Sequence, residues 1–163
     1  LADGTPPDRC YFVGGPGTNR DSARRAQAFR DALATRGHAV RADQVNHGAW
    51  SFEWGWRWAS DMAAAGKLKG AAVLAGNDEI AFGINHRAVD EGLTMPDGLR
   101  LIGFDDSRAC PFMQPPLSSV RVPNRIVGVR AVTALVRRLT EPDTPTIHER
   151  VRTTAVIRRS SQF

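Results

Sequence analysis

The chain has 163 residues, 42% of them hydrophobic, which is enough for one domain or two small lobes around a real core. Its 22 Lys and Arg against 17 Asp and Glu leave a net charge of +5, but the basic residues, nearly all arginine, are scattered without interleaved aromatics, so a solvated arginine-rich surface is expected rather than a nucleic-acid groove. No run is long and apolar enough to span a bilayer, the start LADGTPPDR lacks a basic segment followed by an apolar one, and Cys10 and Cys110 are too few for a disulfide framework or a zinc site; a cytoplasmic protein with two small buried thiols is expected.

Along the chain, apolar runs alternate with helical patterns. CYFVG (10–14) reads as a first strand, and a helix follows from Asp21 to Arg36 with Ala26, Phe29 and Leu33 on one face. Gly37 stops it in the left-handed cap position. HAVRADQV (38–45) reads as a second strand. Phe52, Trp56, Ala59 and Ala63 then recur at helical spacing and Gly66 closes that segment; a third strand covers Ala71 to Ala75. Ile80, Ile84 and Ala88 repeat the helical spacing with Gly92 as the stop, and LRLIGF, Leu99 to Phe104, is a fourth strand. Strand–helix repetition of this kind predicts an α/β fold, a parallel sheet flanked by helices on both faces, with ligands bound outside the carboxyl ends of the strands.

Three strand ends carry polar groups toward that edge. The first ends in GGPGTNRD, the third in Asn77-Asp78 and the fourth in Asp105-Asp106. Either Asn77 or Asp78 can cap the helix that follows, which accounts for one of the pair and leaves the other for a site. Adjacent residues in an extended segment point in opposite directions, so Asp105 and Asp106 do not jointly hold a metal ion; one faces the crevice while the other caps or pairs with Arg108. GGPGTNR lacks the Gly-Lys-Ser/Thr ending of a phosphate loop, and Arg20 occupies the third glycine position of a dinucleotide fingerprint. His38, His47, His86 and His148 have no metal-ligand spacing and no nucleophile in an elbow context. The sequence therefore predicts no catalytic set, no metal and no cofactor. What remains, Arg25, Trp50, Asn77 and Asp105, suits a neutral polyol: a donor fork, acceptors for neighbouring hydroxyls, and an indole face for sugar C–H groups, unless Trp50 is only a helix-entry staple packed on the core.

Several segments resemble the lactose/galactose-repressor (LacI/GalR) family of transcriptional regulators. GGPGTNRDSARRAQAFRDALATRGH is similar to that family's GP, R-x-x-G-F and AL…G segment, with Ala28 in place of the glycine. VLAGNDEIAFGINHRAVDEGLTMPDGLRLIGFDD resembles its AxND-x-x-A-x-G, VP-x-D and VVGFDD run, and FMQPPLSSVRVPNRIVGVRAVTALVRRL its PPLTTV segment and following helix. VRTTAVIRRSS is similar to LPTELVVRESS, with Arg152 in place of the proline. The matches extend in order along nearly the whole chain.

The resemblance implies a periplasmic-binding-protein-like (type I) effector domain of two lobes joined by three crossings. Residues 1–121 and 154–163 would form the C-terminal lobe, and 122–153, with a helix from about Arg125 to Leu139, a crossing segment of the N-terminal lobe. The rest of that lobe and the helix-turn-helix DNA reader precede these segments in the family and are absent from this sequence, so operator DNA would be gripped only through a domain outside this chain. Carried over by position, the effector contacts would be Arg25, Trp50, Asn77 and Asp105, with Asn124 where some relatives place an aromatic over the effector; Asp78 would be the helix cap. The family's carboxyl-side lobes pair, and Trp54 and Trp58, read as lying on a face the core does not need, are the expected homodimer contacts. The function implied is a sensor, of a repressor type, for a small sugar or related metabolite. A transport-type sugar-binding protein with the same fold is the alternative, and an enzyme on a parallel sheet the third reading.

Overall fold

The computed structural model describes residues 4–162. Strands β1 (Cys10–Gly14), β2 (Val45–His47), β3 (Ala71–Ala75), β4 (Leu99–Asp105), β5 (Ser118–Arg121) and β6 (Thr154–Val156) form one sheet in the order β2-β1-β3-β4-β5-β6. The first five are parallel, and β6 runs antiparallel against β5, with Ser119 opposite Val156. Helices α1 (Arg20–Ala34), α2 (Phe52–Ala64) and α3 (Asp78–Asp90) connect the first four strands, and α4 (Asn124–Thr140) lies between β5 and β6. Among the described residues no helix is long and apolar enough to cross a membrane.

Strand alternation divides the core. From β1, Cys10 and Phe12 turn to α1 and meet Ala26, Phe29 and Leu33, while Tyr11 and Val13 turn to the opposite face and meet the core built by α2 and α3. Both cysteines are buried and free. The three expected stops, Gly37, Gly66 and Gly92, all sit at positive φ, between 66° and 78°, a conformation only glycine adopts without strain.

Two expected elements differ from the observed ones. The second strand is Val45–His47, not 38–45, because Gln44 is buried and its side-chain amide donates to the carbonyls of Pro7 (2.7 Å) and Cys10 (2.8 Å), while its oxygen accepts from the Arg41 N–H. Satisfying that buried amide curls 42–44 into a single 3-10 turn and keeps the preceding residues out of the ladder. The inward face of α2 is also rotated: Gly55, Trp58 and Ala59 are buried, whereas Trp56 is 41% exposed. The cause is a backbone-to-backbone crossing. A Cβ on Gly55 would stand 2.1 Å from the Ile80 carbonyl oxygen, and one on Gly83 2.0 Å from that of Phe52, so α2 and α3 approach through their glycines and the rest of α2 follows.

Trp54 and Trp58 are consequently not on a spare face. Trp58 is 4% exposed and packs edge-on against Tyr11 at 5.8 Å. Trp54 is half-buried, and its indole N–H donates to the Gly14 carbonyl at 3.0 Å. Both pack on the core, Trp58 fully covered and Trp54 in part.

Candidate functional site at the strand tips

Parallel strands place the ends of β1, β3 and β4 along one edge, where the backbone leaves polar groups without ladder partners. Arg25, in the second turn of α1, reaches across this edge: one guanidinium nitrogen donates to the Gly76 carbonyl at 2.5 Å. The guanidinium carbon lies 3.7 Å from the centroid of the Phe104 ring and 5.5 Å from that of Trp50, a cation held over one aromatic face and beside another. Trp50 is half-buried and rests on backbone stripped of side chains. A Cβ on Gly15 would fall 2.2 Å from its ring, and one on Gly76 2.9 Å. The indole thus packs on the core edge and stands in the Arg25 cluster at the same time.

Asp105 completes the group. Burial pushes its carboxyl above the usual range while the Arg25 charge pulls it back down, and the neighbouring Asp78 charge adds to the rise. Arg25 experiences the reciprocal effects: burial lowers it and Asp105 supports its charge. Asp105 and Asp106 both have positive φ, 112° and 55°, which for residues with a Cβ costs of order 1 kcal/mol or more each. The turn is held by its surroundings. The Asp106 N–H donates to Ser119 Oγ at 3.0 Å, and the Asp106 carboxylate pairs with Arg121 (2.6 Å) and Arg158 (2.7 Å). Burial works against ionisation of Asp106, but the two guanidinium groups outweigh it and hold the carboxyl below its ordinary value.

A match to the model of the periplasmic binding protein-like domain runs from residue 8 to residue 161. The chain belongs to that family. Its relatives within the family are regulators of the LacI/GalR type that the motifs resemble. Catabolite control protein A of Priestia megaterium is 32% identical over 120 residues, which is 71% of this chain and 34% of the relative. The ribose operon repressor of Escherichia coli strain K12 is 28% identical over 134 residues, 82% of this chain and 40% of the relative. Among solved structures, a regulatory protein of the LacI family from Chloroflexus aggregans shares 26% identity at a TM-score of 0.85, covering 95% of this chain and 56% of that one. The chain therefore spans about a third to two fifths of the length of these curated relatives.

In this periplasmic binding protein-like domain, Arg25, Trp50, Asn77 and Asp105 all lie at the carboxyl-end edge of β1, β3 and β4. Arg25 lies beside Trp50 and within electrostatic reach of Asp105, and Asn77 follows Gly76, whose carbonyl receives Arg25. Asn124 is exposed at the first turn of α4, beyond the end of β5. The helix cap is reversed from expectation. Asn77, with extended backbone, accepts the Ile80 N–H through Oδ1 at 3.0 Å, which leaves its side-chain amide for a ligand. Asp78 begins the helix proper, and its carboxylate is 2% exposed; it accepts from Ser119 Oγ (2.6 Å), the Ser107 N–H (2.7 Å) and the Cys110 thiol (3.2 Å). That environment, chiefly burial, pushes the Cys110 thiol up to about 11. Asp106 pairs with Arg121 and Arg158 rather than Arg108, because a left-handed turn points its carboxylate at β5 and the segment after β6.

Sequence reasoning missed Phe104, the platform under Arg25, and Ser119. The signal for Phe104 was present: it directly precedes Asp105, in a strand whose alternate residues Leu101 and Leu99 face the other way.

Proposed function

We propose that this chain is the effector-sensing part of a bacterial transcription regulator, a repressor by the names of its relatives, acting in the cytoplasm and binding a small uncharged sugar or related metabolite at the strand tips. The observation that carries the reading is the Arg25 guanidinium, stacked on Phe104 beside Trp50, with its charge supported by Asp105. Its remaining donors, the Asp105 carboxylate and the Asn77 amide offer paired hydrogen bonds to adjacent hydroxyls, and the indole offers a flat apolar face. These are groups for holding and releasing a ligand rather than for turning one over. The name of the ribose operon repressor supports a sugar as the first class to try.

The same reading accounts for α4. Its residues are all at least partly exposed, including Ile126, Val129, Val132, Leu135 and Leu139, a row fit for the second lobe implied by the family resemblance. A ligand clasped between lobes changes DNA affinity only by binding the open and closed arrangements unequally. For a homodimer, the better surface is where α2, α3 and the 113–114 loop meet. There Phe52, Phe82, Val89 and Met113 line an apolar groove of about 460 Å³, and Phe112 nearby is 85% exposed.

The test is a thermal-shift screen of pentoses, hexoses and disaccharides on the full chain, followed by calorimetry with any sugar that raises the melting temperature. Arg25→Ala and Asp105→Asn should each abolish the shift while the far-ultraviolet dichroism stays intact. Binding retained at wild-type affinity by both variants removes the proposed site.

A further inference from the structure

The two candidate ligand contacts at the ends of β3 and β4 share a pattern that the sensing role does not require. Each is followed at once by a buried aspartate, Asn77 by Asp78 and Asp105 by Asp106, and both aspartates grip β5. Ser119 is the common point: its Oγ donates to Asp78 Oδ1 at 2.6 Å and accepts the Asp106 N–H at 3.0 Å. Asp78 also accepts the Ser107 N–H, which ties the α3 start to the turn after β4. Gly103 makes this approach possible, since a Cβ there would stand 2.2 Å from Asp78 Oδ1. Asp106 then joins Arg121, at the end of β5, to Arg158, just past β6, and the Arg158 backbone N–H is anchored to β5 a second time by donating to Ser118 Oγ at 2.7 Å.

We propose that Asp78 and Asp106 are positioning residues that lock Asn77 and Asp105 to β5, so that the ligand-facing tips and the strand leading into α4 move as one body. The inference rests on the reading of the strand tips as a ligand site, and it names how that site is tied to the segment that leaves the sheet. Ligand contact at Asn77 or Asp105 bears on β5 through one shared hydroxyl and one shared carboxylate. Neither aspartate touches ligand. Their side chains are turned inward, and the strained turn at 105–106 persists because the serine and the two arginines hold it.

Hydrogen exchange read by mass spectrometry on the full chain without any ligand tests the tie separately from the sensing role. Ser119→Ala removes the shared hydroxyl from β5, and exchange is expected to quicken about fivefold both at 105–107 and at 77–81, the loss of one hydrogen bond at each end. Quickening confined to β5 and its ladder neighbours would overturn the proposal. Should Ser119→Ala fail to fold, Arg121→Gln, at an exposed side chain, carries the test. Its effect is expected at 105–107 and, more weakly, at 77–81, which Arg121 does not touch, with Arg121→Lys restoring part of the protection; no change at 77–81 overturns the tie. A protein that shows this exchange pattern and binds no sugar keeps the tie and loses the sensing role.

Discussion

Helices α3 and α4 have similar lengths and comparable apolar content but opposite fates. α3 buries seven residues, among them Ile80, Ile84 and Gly83, against α2 and the sheet, whereas α4 buries none. The contrast teaches that an apolar pattern alone does not fix burial: α3 packs on α2 and the sheet, while the Val and Leu residues of α4 form the exposed row proposed to face a second lobe. Mutations at matched positions should separate the two helices sharply.

The largest difference is expected from large-to-small changes. Ile84→Ala should cost about 3 kcal/mol by leaving a cavity in a fully buried site, and Leu135→Ala, at a side chain 59% exposed, close to nothing in this chain; denaturant titration checks both. The two mid-helix glycines should next diverge in sign. Gly83→Ala drives a Cβ into the Phe52 carbonyl and should destabilise by about 2 kcal/mol, while Gly128→Ala meets no atom within 4 Å and should stabilise by about 0.5–1 kcal/mol. Equal effects at the two sites would erase the distinction drawn between the helices.

At the strand tips the effects are smaller and depend on pH. Asp106 is held below its ordinary carboxyl value, so its contribution is fully present above that value and lost as pH falls through the folded one. Asp106→Asn should therefore cost about 1 kcal/mol at neutral pH, less toward acid, and flatten the acid limb of the stability profile below about pH 4. Asp105 has the opposite sign. Its carboxyl is raised, so ionisation above the ordinary value costs the folded state, and Asp105→Asn should gain roughly a few tenths of a kcal/mol at pH 7 even as it abolishes binding. A loss of stability in that variant would mean that Asp105 serves the fold rather than a ligand.

The order of strands and helices was legible because period and punctuation agree: CYFVG, AAVLA and LRLIGF are bounded by helical spacings that end in Gly37, Gly66 and Gly92. What misled were residues whose environment is set from elsewhere in the chain. The face of α2 depends on Gly55 meeting the backbone of α3, the second strand on a buried Gln44 seeking carbonyls of Pro7 and Cys10, and the partner of Asp106 on residues brought near by β5 and β6. Asn77 and Asp78 are equally good caps by residue type, and only the backbone angle at 77 decides between them. At the site, Arg25, Trp50, Asn77 and Asp105 could be named because each lies at or shortly after the carboxyl end of a strand or on the helix facing it, whereas Phe104 was hidden by looking like one more strand residue.

The central claim is that these four side chains form one binding surface for an uncharged polyhydroxylated ligand. Titration calorimetry of the full chain, with the sugar giving the largest thermal shift, tests it most directly. A one-site isotherm is expected that Arg25→Ala eliminates and that stays unchanged when Arg57, an exposed arginine of α2 outside the cluster, is replaced by Ala. Equal affinity in wild type and Arg25→Ala would contradict the claim.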